Sequence, residues 1–228
     1  NEINRFEKYT FEPEEDDFLK TKTTFTEVFP KTIVNEVKSP DIRMEYSVNP
    51  YQGCEHGCSY CFARPTHEFW GYSAGTDFER KIMIKKNAPE LLEKFFQKRN
   101  YVPKTITLSG NTDCYQPAER EFEITRKLLQ LCLDYRHPVS ILTKNALVLR
   151  DLDILQPLSE QNLVSVSFSI PTVNEEIRRK MEPRTSSVKN KLKAIEILTE
   201  HKIAVGVMVA PVIPGLTSDE SLKILKTV

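Results

Sequence analysis

Leu163-Val-Ser-Val-Ser-Phe-Ser-Ile170 alternates without a break, with Val164, Val166, Phe168 and Ile170 on one side of a strand and Ser165, Ser167 and Ser169 on the other. One face is apolar and the opposite face is lined with hydroxyls. In a half-exposed strand the serines would simply face water. In an α/β barrel the apolar face meets the outer helices and the serines point inward, where a polar cofactor can use them.

Strand-like and helix-like stretches alternate on both sides of this segment. Ile42–Val48, Thr105–Ser109 and Val139–Thr143 read as strands before it, and Ile203–Ala210 as a strand after it. Between them, Asn87 and Pro89 signal the cap and first turn of a helix whose face is Leu91, Leu92, Phe95 and Phe96. Pro117–Tyr135 reads as one long helix with Cys132 in its apolar stripe, Leu147–Gln156 as another, and Ser187–Glu200 as a third. The chain ends in a helical stretch after Thr217-Ser-Asp-Glu220. Repeated βα units predict a mainly parallel sheet. Residues 1–41 are polar, with Glu14-Glu-Asp-Asp17, and read as a partly irregular arm in which only Glu27–Val37 hints at extended structure; the core runs over residues 42–228.

The 228 residues carry 32 Lys plus Arg and 32 Asp plus Glu, so the net charge is zero, unlike a broad basic nucleic-acid binder. The longest apolar run, Ala204–Leu216, is interrupted by Gly206, Pro211, Pro214 and Gly215, so a membrane span is not expected. The 5 cysteines are an odd number in a chain of this length, which points to reduced thiols and a cytoplasmic setting rather than a disulfide framework.

Three of those cysteines crowd the loop after the first strand, Gly53-Cys-Glu-His-Gly-Cys-Ser-Tyr-Cys-Phe62. Thiolates at Cys54, Cys58 and Cys61 can hold three irons of a cubane cluster and leave the fourth iron open to a small molecule. A zinc site would need a fourth ligand, from His56 or His67, and a simple ferredoxin would need a fourth cysteine, for which neither Cys114 nor Cys132 is suitably spaced. Of the 7 glycines, Gly53, Gly57, Gly71 and Gly75 lie in or just after this loop, as expected of backbone wrapped around a bulky group. An alternative function is a metal-stabilised nucleic-acid-binding module, with zinc or a non-catalytic iron–sulfur cluster, presenting Arg80, Lys81, Lys85 and Lys86 to phosphates.

The C-x3-C-x2-C spacing, with Tyr60 before the last cysteine, resembles the radical S-adenosylmethionine (radical SAM) enzymes. That resemblance implies a partial (βα)6 TIM-like barrel, a 4Fe–4S cluster chelated by S-adenosylmethionine, and an external electron donor such as flavodoxin or ferredoxin. It also implies reductive cleavage to methionine and a 5'-deoxyadenosyl radical that abstracts hydrogen from a substrate. Five core strands can be placed, so the last strand is expected to be missing and the chain to be a piece of a longer one. Asn49–Phe62, Asn111-Thr-Asp113, Leu142-Thr-Lys144, Glu182-Pro-Arg184 and Ala210-Pro211 are most similar to the spore photoproduct lyase-related branch. The likeness implies that Thr112, Lys144 and Ser169 contact the methionine or ribose part of the cofactor, with Ala210 and Tyr60 against adenine, and it makes a nucleic-acid-related substrate conceivable. Ser167 lies beside Ser169 on the hydroxyl face. By charge, Lys144 and Arg184 suit the cofactor carboxylate, Glu182 suits ribose hydroxyls, and Asp113 suits fixing its loop. One departure matters. The lyase's hydrogen-donor cysteine is expected near Gly110 or Asn111, whereas this chain has Cys114 after Asp113, either a radical relay or a small buried residue.

Overall fold

The computed structural model describes residues 22–39, 41 and 44–227. Among them the strands are β1 (Thr24–Val28), β2 (Val34–Glu36), β3 (Tyr46–Val48), β4 (Tyr51–Gln52), β5 (Lys81–Lys85), β6 (Ile106–Leu108), β7 (Val139–Thr143), β8 (Val164–Ser169) and β9 (Ala204–Met208). The main sheet has the order β2-β3-β6-β7-β8-β9, and its neighbours from β3 to β9 all pair in parallel. Strand neighbours therefore follow chain order, and from β3 onward each is joined to the next through a connection that contains a helix. A smaller sheet, β1-β5-β4, stands beside it.

The helices are α1 (Asp77–Arg80), α2 (Ala88–Phe96), α3 (Glu119–Phe122), α4 (Ile124–Asp134), α5 (Leu152–Glu160), α6 (Glu175–Met181), α7 (Val188–Glu200) and α8 (Ser221–Thr227), with 3-10 turns at Arg64–Trp70, Ala146–Asp151 and Ser218–Glu220. Val166, Phe168 and Ile170 are fully buried with Leu92, Leu128, Cys132, Leu155 and Leu198 from the surrounding helices. The apolar face of β8 thus meets helices, while Ser165 and Ser167 on the other face are only half-buried. Apolar burial of this kind, at about 25 cal/mol per Å², is the main force holding the layers together.

Several expectations need correction. The stretch Pro117–Tyr135 is two helices, because Glu123 adopts φ 51° between α3 and α4. Glu119 explains the break: its buried carboxylate accepts the amides of Thr125 (2.9 Å) and Arg126 (3.2 Å), capping α4 from the preceding turn. Asn87 sits at the α2 cap position, yet its side chain donates to the Pro30 carbonyl (3.1 Å) instead of capping. Two elements lie where the sequence pattern predicts none, the strand β5 and the helix α6, which the Asn174 side chain caps. Ile42 and Arg43, the start of the expected first strand, lie outside the described residues, as do residues 1–21 of the expected arm. Within the arm, β1 pairs in parallel with β5 and β2 antiparallel with β3. No helix among the described residues is long and apolar enough to cross a membrane.

Candidate cofactor site

All five parallel strands end at one place. Just beyond β3 runs the cysteine loop; the ends of β6 to β9 add Ser109–Asp113, Lys144, Ser169 and Ala210. Together with Cys58, Tyr60, Cys61, Phe62, Met208 and Pro211 they line a cavity of about 300 Å³. A larger depression of about 1120 Å³ lies outside α7, and it has no cysteine and no strand-end residue in its walls. The cysteines and the strand-end polar residues line the smaller one.

The cysteine loop is anchored from several sides. Cys54 N donates to the Phe78 carbonyl (2.8 Å), and Cys61 N to the Cys58 carbonyl (3.3 Å). Arg64 Nε and Nη2 both donate to the Cys58 carbonyl, at 3.2 and 3.0 Å. Gly57 has φ 66°, and a β-carbon there would fall 2.1 Å from Arg184 Nη2 and 2.6 Å from Glu79 Oε2. Only glycine fits without displacing them. Burial, reinforced by Asp113, pushes the Cys54 thiol well up, and burial with the Glu182 charge pushes Cys58 to about 12. Such thiols release their protons when a cationic metal centre replaces them. Among the described residues no group of three or more His, Cys, Asp or Glu is gathered closely enough to hold one metal ion. A cubane distributes its thiolates over separate irons, so its ligands need not converge on a point. The donor set fits a cluster.

Asp113 fastens the β6 and β7 ends together. Its carboxylate accepts Tyr115 N (2.8 Å), Thr143 Oγ1 (2.8 Å) and Lys144 N (2.7 Å), and His56 Nε2 lies 3.1 Å away, off the hydrogen-bond direction. Burial alone would raise its pKa; His56 and these donors hold it below the ordinary carboxylate value instead. Thr112 faces the cavity, and its hydroxyl donates to the Tyr51 carbonyl (2.8 Å). Asn49, which sequence inspection did not single out, positions that segment: its Oδ1 accepts the amides of Asn111 (2.8 Å) and Thr112 (3.3 Å).

Lys144 donates to Ser169 Oγ, stands 3.2 Å from Glu182 Oε1, and lies 5.6 Å over the Tyr60 ring. Ser169 Oγ in turn donates to the Ala210 carbonyl at 3.2 Å. Tyr60, Thr112, Asp113, Lys144, Ser169 and Ala210 therefore share one cavity wall. Four other residues do not. Ser167 sits one pleat deeper on β8, facing Gly206, whose absent β-carbon would come 3.0 Å from its Oγ. Glu182 is fully buried behind Lys144, with its oxygens already engaged by Tyr60, Lys144, Lys191 and Thr185. Arg184 turns away to Glu79 and the Glu55 carbonyl. Cys114 is fully buried in the main core and lines no part of the cavity. Of the expected phosphate-facing cations, Lys81 pairs with Asp77 (2.9 Å), Lys86 with Glu27 (2.8 Å), and the half-buried Lys85 donates to the Asn49 carbonyl (2.7 Å), its pKa lowered by desolvation to about 8.

The family model for the Radical SAM superfamily matches residues 48–228, spanning the whole of this site. The chain belongs to the radical SAM superfamily. Radical SAM enzymes use a 4Fe–4S cluster and S-adenosylmethionine. An uncharacterized protein of Mycobacterium tuberculosis is 36% identical over 195 residues, covering 85% of this chain and 57% of the relative. One from Methanocaldococcus jannaschii is 29% identical over 202 residues, covering 89% of this chain and 73% of its own length. Among solved structures, a spore photoproduct lyase complexed with dinucleoside spore photoproduct superposes with a TM-score of 0.65 at 18% identity, over 88% of this chain and 56% of the lyase. A variant of that lyase with bound AdoMet and dinucleoside spore photoproduct gives 0.62 at 19% identity, over 82% of this chain and 51% of the variant. The chain thus spans little more than half the length of the lyase and of the mycobacterial relative.

Proposed function

We propose that Cys54, Cys58 and Cys61 bind a 4Fe–4S cluster and that the adjoining cavity, at the strand ends of a partial (βα)6 barrel, binds S-adenosylmethionine. One observation carries this reading: Cys58 and Cys61 share a cavity of about 300 Å³ with Thr112, Lys144, Ser169 and Ala210. When bound, the cluster and cofactor supply reductive cleavage of S-adenosylmethionine to methionine and a 5'-deoxyadenosyl radical that takes a hydrogen atom from substrate.

The chain's own residues bind and orient. Lys144 offers an ammonium to the cofactor carboxylate, a charge-assisted contact stronger than a neutral hydrogen bond. Thr112, with its hydroxyl proton committed to Tyr51, keeps acceptor lone pairs for a cofactor donor. Ala210 offers backbone groups and Tyr60 a ring face to adenine, and Phe62 and Met208 give the rim an apolar surface that excludes water. An external electron donor and a cytoplasmic, reducing environment complete the reading, in keeping with five free cysteines. A nucleic-acid-related molecule is the substrate class to test first, because the lyase with this fold is complexed with a dinucleoside. Photoproduct repair itself is not carried over, since the cavity wall at Gly110 and Asn111 has no thiol and Cys114 is sealed in the core.

Anaerobically reconstituted protein with dithionite is expected to convert S-adenosylmethionine to 5'-deoxyadenosine and methionine. Cys58→Ala is expected to abolish both cluster absorbance and turnover. Wild-type protein loaded with iron and sulfide that yields no 5'-deoxyadenosine overturns the assignment.

A further inference from the structure

Behind the cavity wall, Glu182 and Lys191, which the cofactor reading does not use, form an ion cluster with Lys144. Glu182, fully buried at the end of α6, has one oxygen 3.2 Å from Lys144 Nζ and bonded to the Tyr60 hydroxyl, and the other 2.9 Å from Lys191 Nζ. Lys191 is 1% exposed, rises from α7, and also donates to the Ser169 carbonyl at 3.1 Å. Lysine is almost never buried so completely without a specific partner. Two ammonium groups and one carboxylate leave a surplus of one positive charge. Of the three groups only Lys144, with 20% of its side chain exposed, reaches the cavity.

With Glu182 alone behind it, Lys144 would be a closed one-to-one pair with little attraction left for another anion. Lys191 changes that balance by neutralising Glu182 from the far side, and its bond to the Ser169 carbonyl holds β8 and α7 in register. Glu182 and the Tyr60 hydroxyl then act as a fixed stop that sets where the Lys144 ammonium stands. We infer that Glu182 and Lys191 are positioning residues, which orient Lys144 and keep its charge available for the carboxylate of an amino-acid ligand in the cavity. Glu182 is thereby moved from direct ribose contact to the layer behind. The inference rests on the proposed cofactor site and specifies which residues set its affinity.

The test is a double-mutant cycle read as binding of S-adenosylmethionine, by titration calorimetry on anaerobically reconstituted protein. Lys191→Met is expected to weaken binding about tenfold, as the surplus charge at the cavity falls to zero, with iron and sulfide content unchanged. In a Lys144→Met background the same substitution is expected to add less than about twofold, because the group it acts through is gone. Tyr60→Phe, which keeps the ring and removes only the hydroxyl that fixes Glu182, is expected to weaken binding about threefold and to show the same loss of effect when Lys144 is absent. It serves if Lys191→Met does not fold. Equal effects in both backgrounds, or wild-type affinity in the variants, overturn the inference and leave the cofactor site standing. Cluster-loaded wild type that does not bind S-adenosylmethionine overturns both.

Discussion

Replacing Glu182 with glutamine removes a negative charge from a position where no water reaches it, and the cost can be worked out in two ways. Burial would raise the Glu182 pKa, but Lys191 and Lys144 outweigh it and hold the carboxyl at about 2, against an ordinary value of 4.5. At 1.36 kcal/mol per pH unit this corresponds to about 3 kcal/mol of native-state stabilisation. Independently, stranding one partner of a buried ion pair costs about 3–5 kcal/mol, and Lys191 would be stranded. The two agree. The sign follows from the depressed pKa: the stabilisation is complete above the unfolded value near 4.5 and is lost as pH falls toward 2. Urea unfolding of iron-free wild type and Glu182→Gln, followed by circular dichroism between pH 7 and pH 3, should show a gap of about 3 kcal/mol at pH 7 that narrows steadily below pH 4.5. A gap that stays constant across that range, or one below about 1 kcal/mol at pH 7, would refute the charged-network account.

Other substitutions probe the loop, the cavity wall and the core. Gly57→Ala combines a β-carbon 2.1 Å from Arg184 Nη2 with a left-handed φ of 66°; it should cost about 1–2 kcal/mol in backbone strain and lower iron incorporation, and unchanged urea midpoint and iron content would count against the close-approach argument. Asn49→Ala removes the acceptor for the Asn111 and Thr112 amides. It should lose about 2 kcal/mol and weaken S-adenosylmethionine binding by calorimetry, with the cluster absorbance intact. Phe168→Ala empties a fully buried site on β8 and should cost about 3–5 kcal/mol in urea melts. A smaller loss would mean that the helices collapse into the space.

Much of the fold was legible because strand and helix periodicity are local properties. The Val164–Ile170 alternation appears as β8 with its apolar side against the helices, and Ser187 caps α7 through its own side chain, donated to by Asn190 N at 3.2 Å. Elsewhere local pattern misled. Pro117–Tyr135 has a continuous helical stripe, but a buried carboxylate, Glu119, competes for the amides at its centre and divides it. Lys81 and Lys85 stand out in the sequence only as candidate phosphate contacts, yet they bracket a strand in which Ile82, Met83 and Ile84 are buried, and they find partners on Asp77 and Asn49.

From residue order alone came the three-cysteine loop, the serine-lined strand and Lys144 at a strand end, since each depends on spacing within a few residues. Which polar residues face the cavity could not come from that source. Glu182 and Arg184 are two positions apart, yet one is sealed behind Lys144 and the other turns out to Glu79. Lys191 looks like any helix-surface lysine until α7 packs it beneath Ser169. Burial and charge pairing depend on neighbours brought together from distant parts of the chain, and those neighbours exist only once the strands are laid side by side.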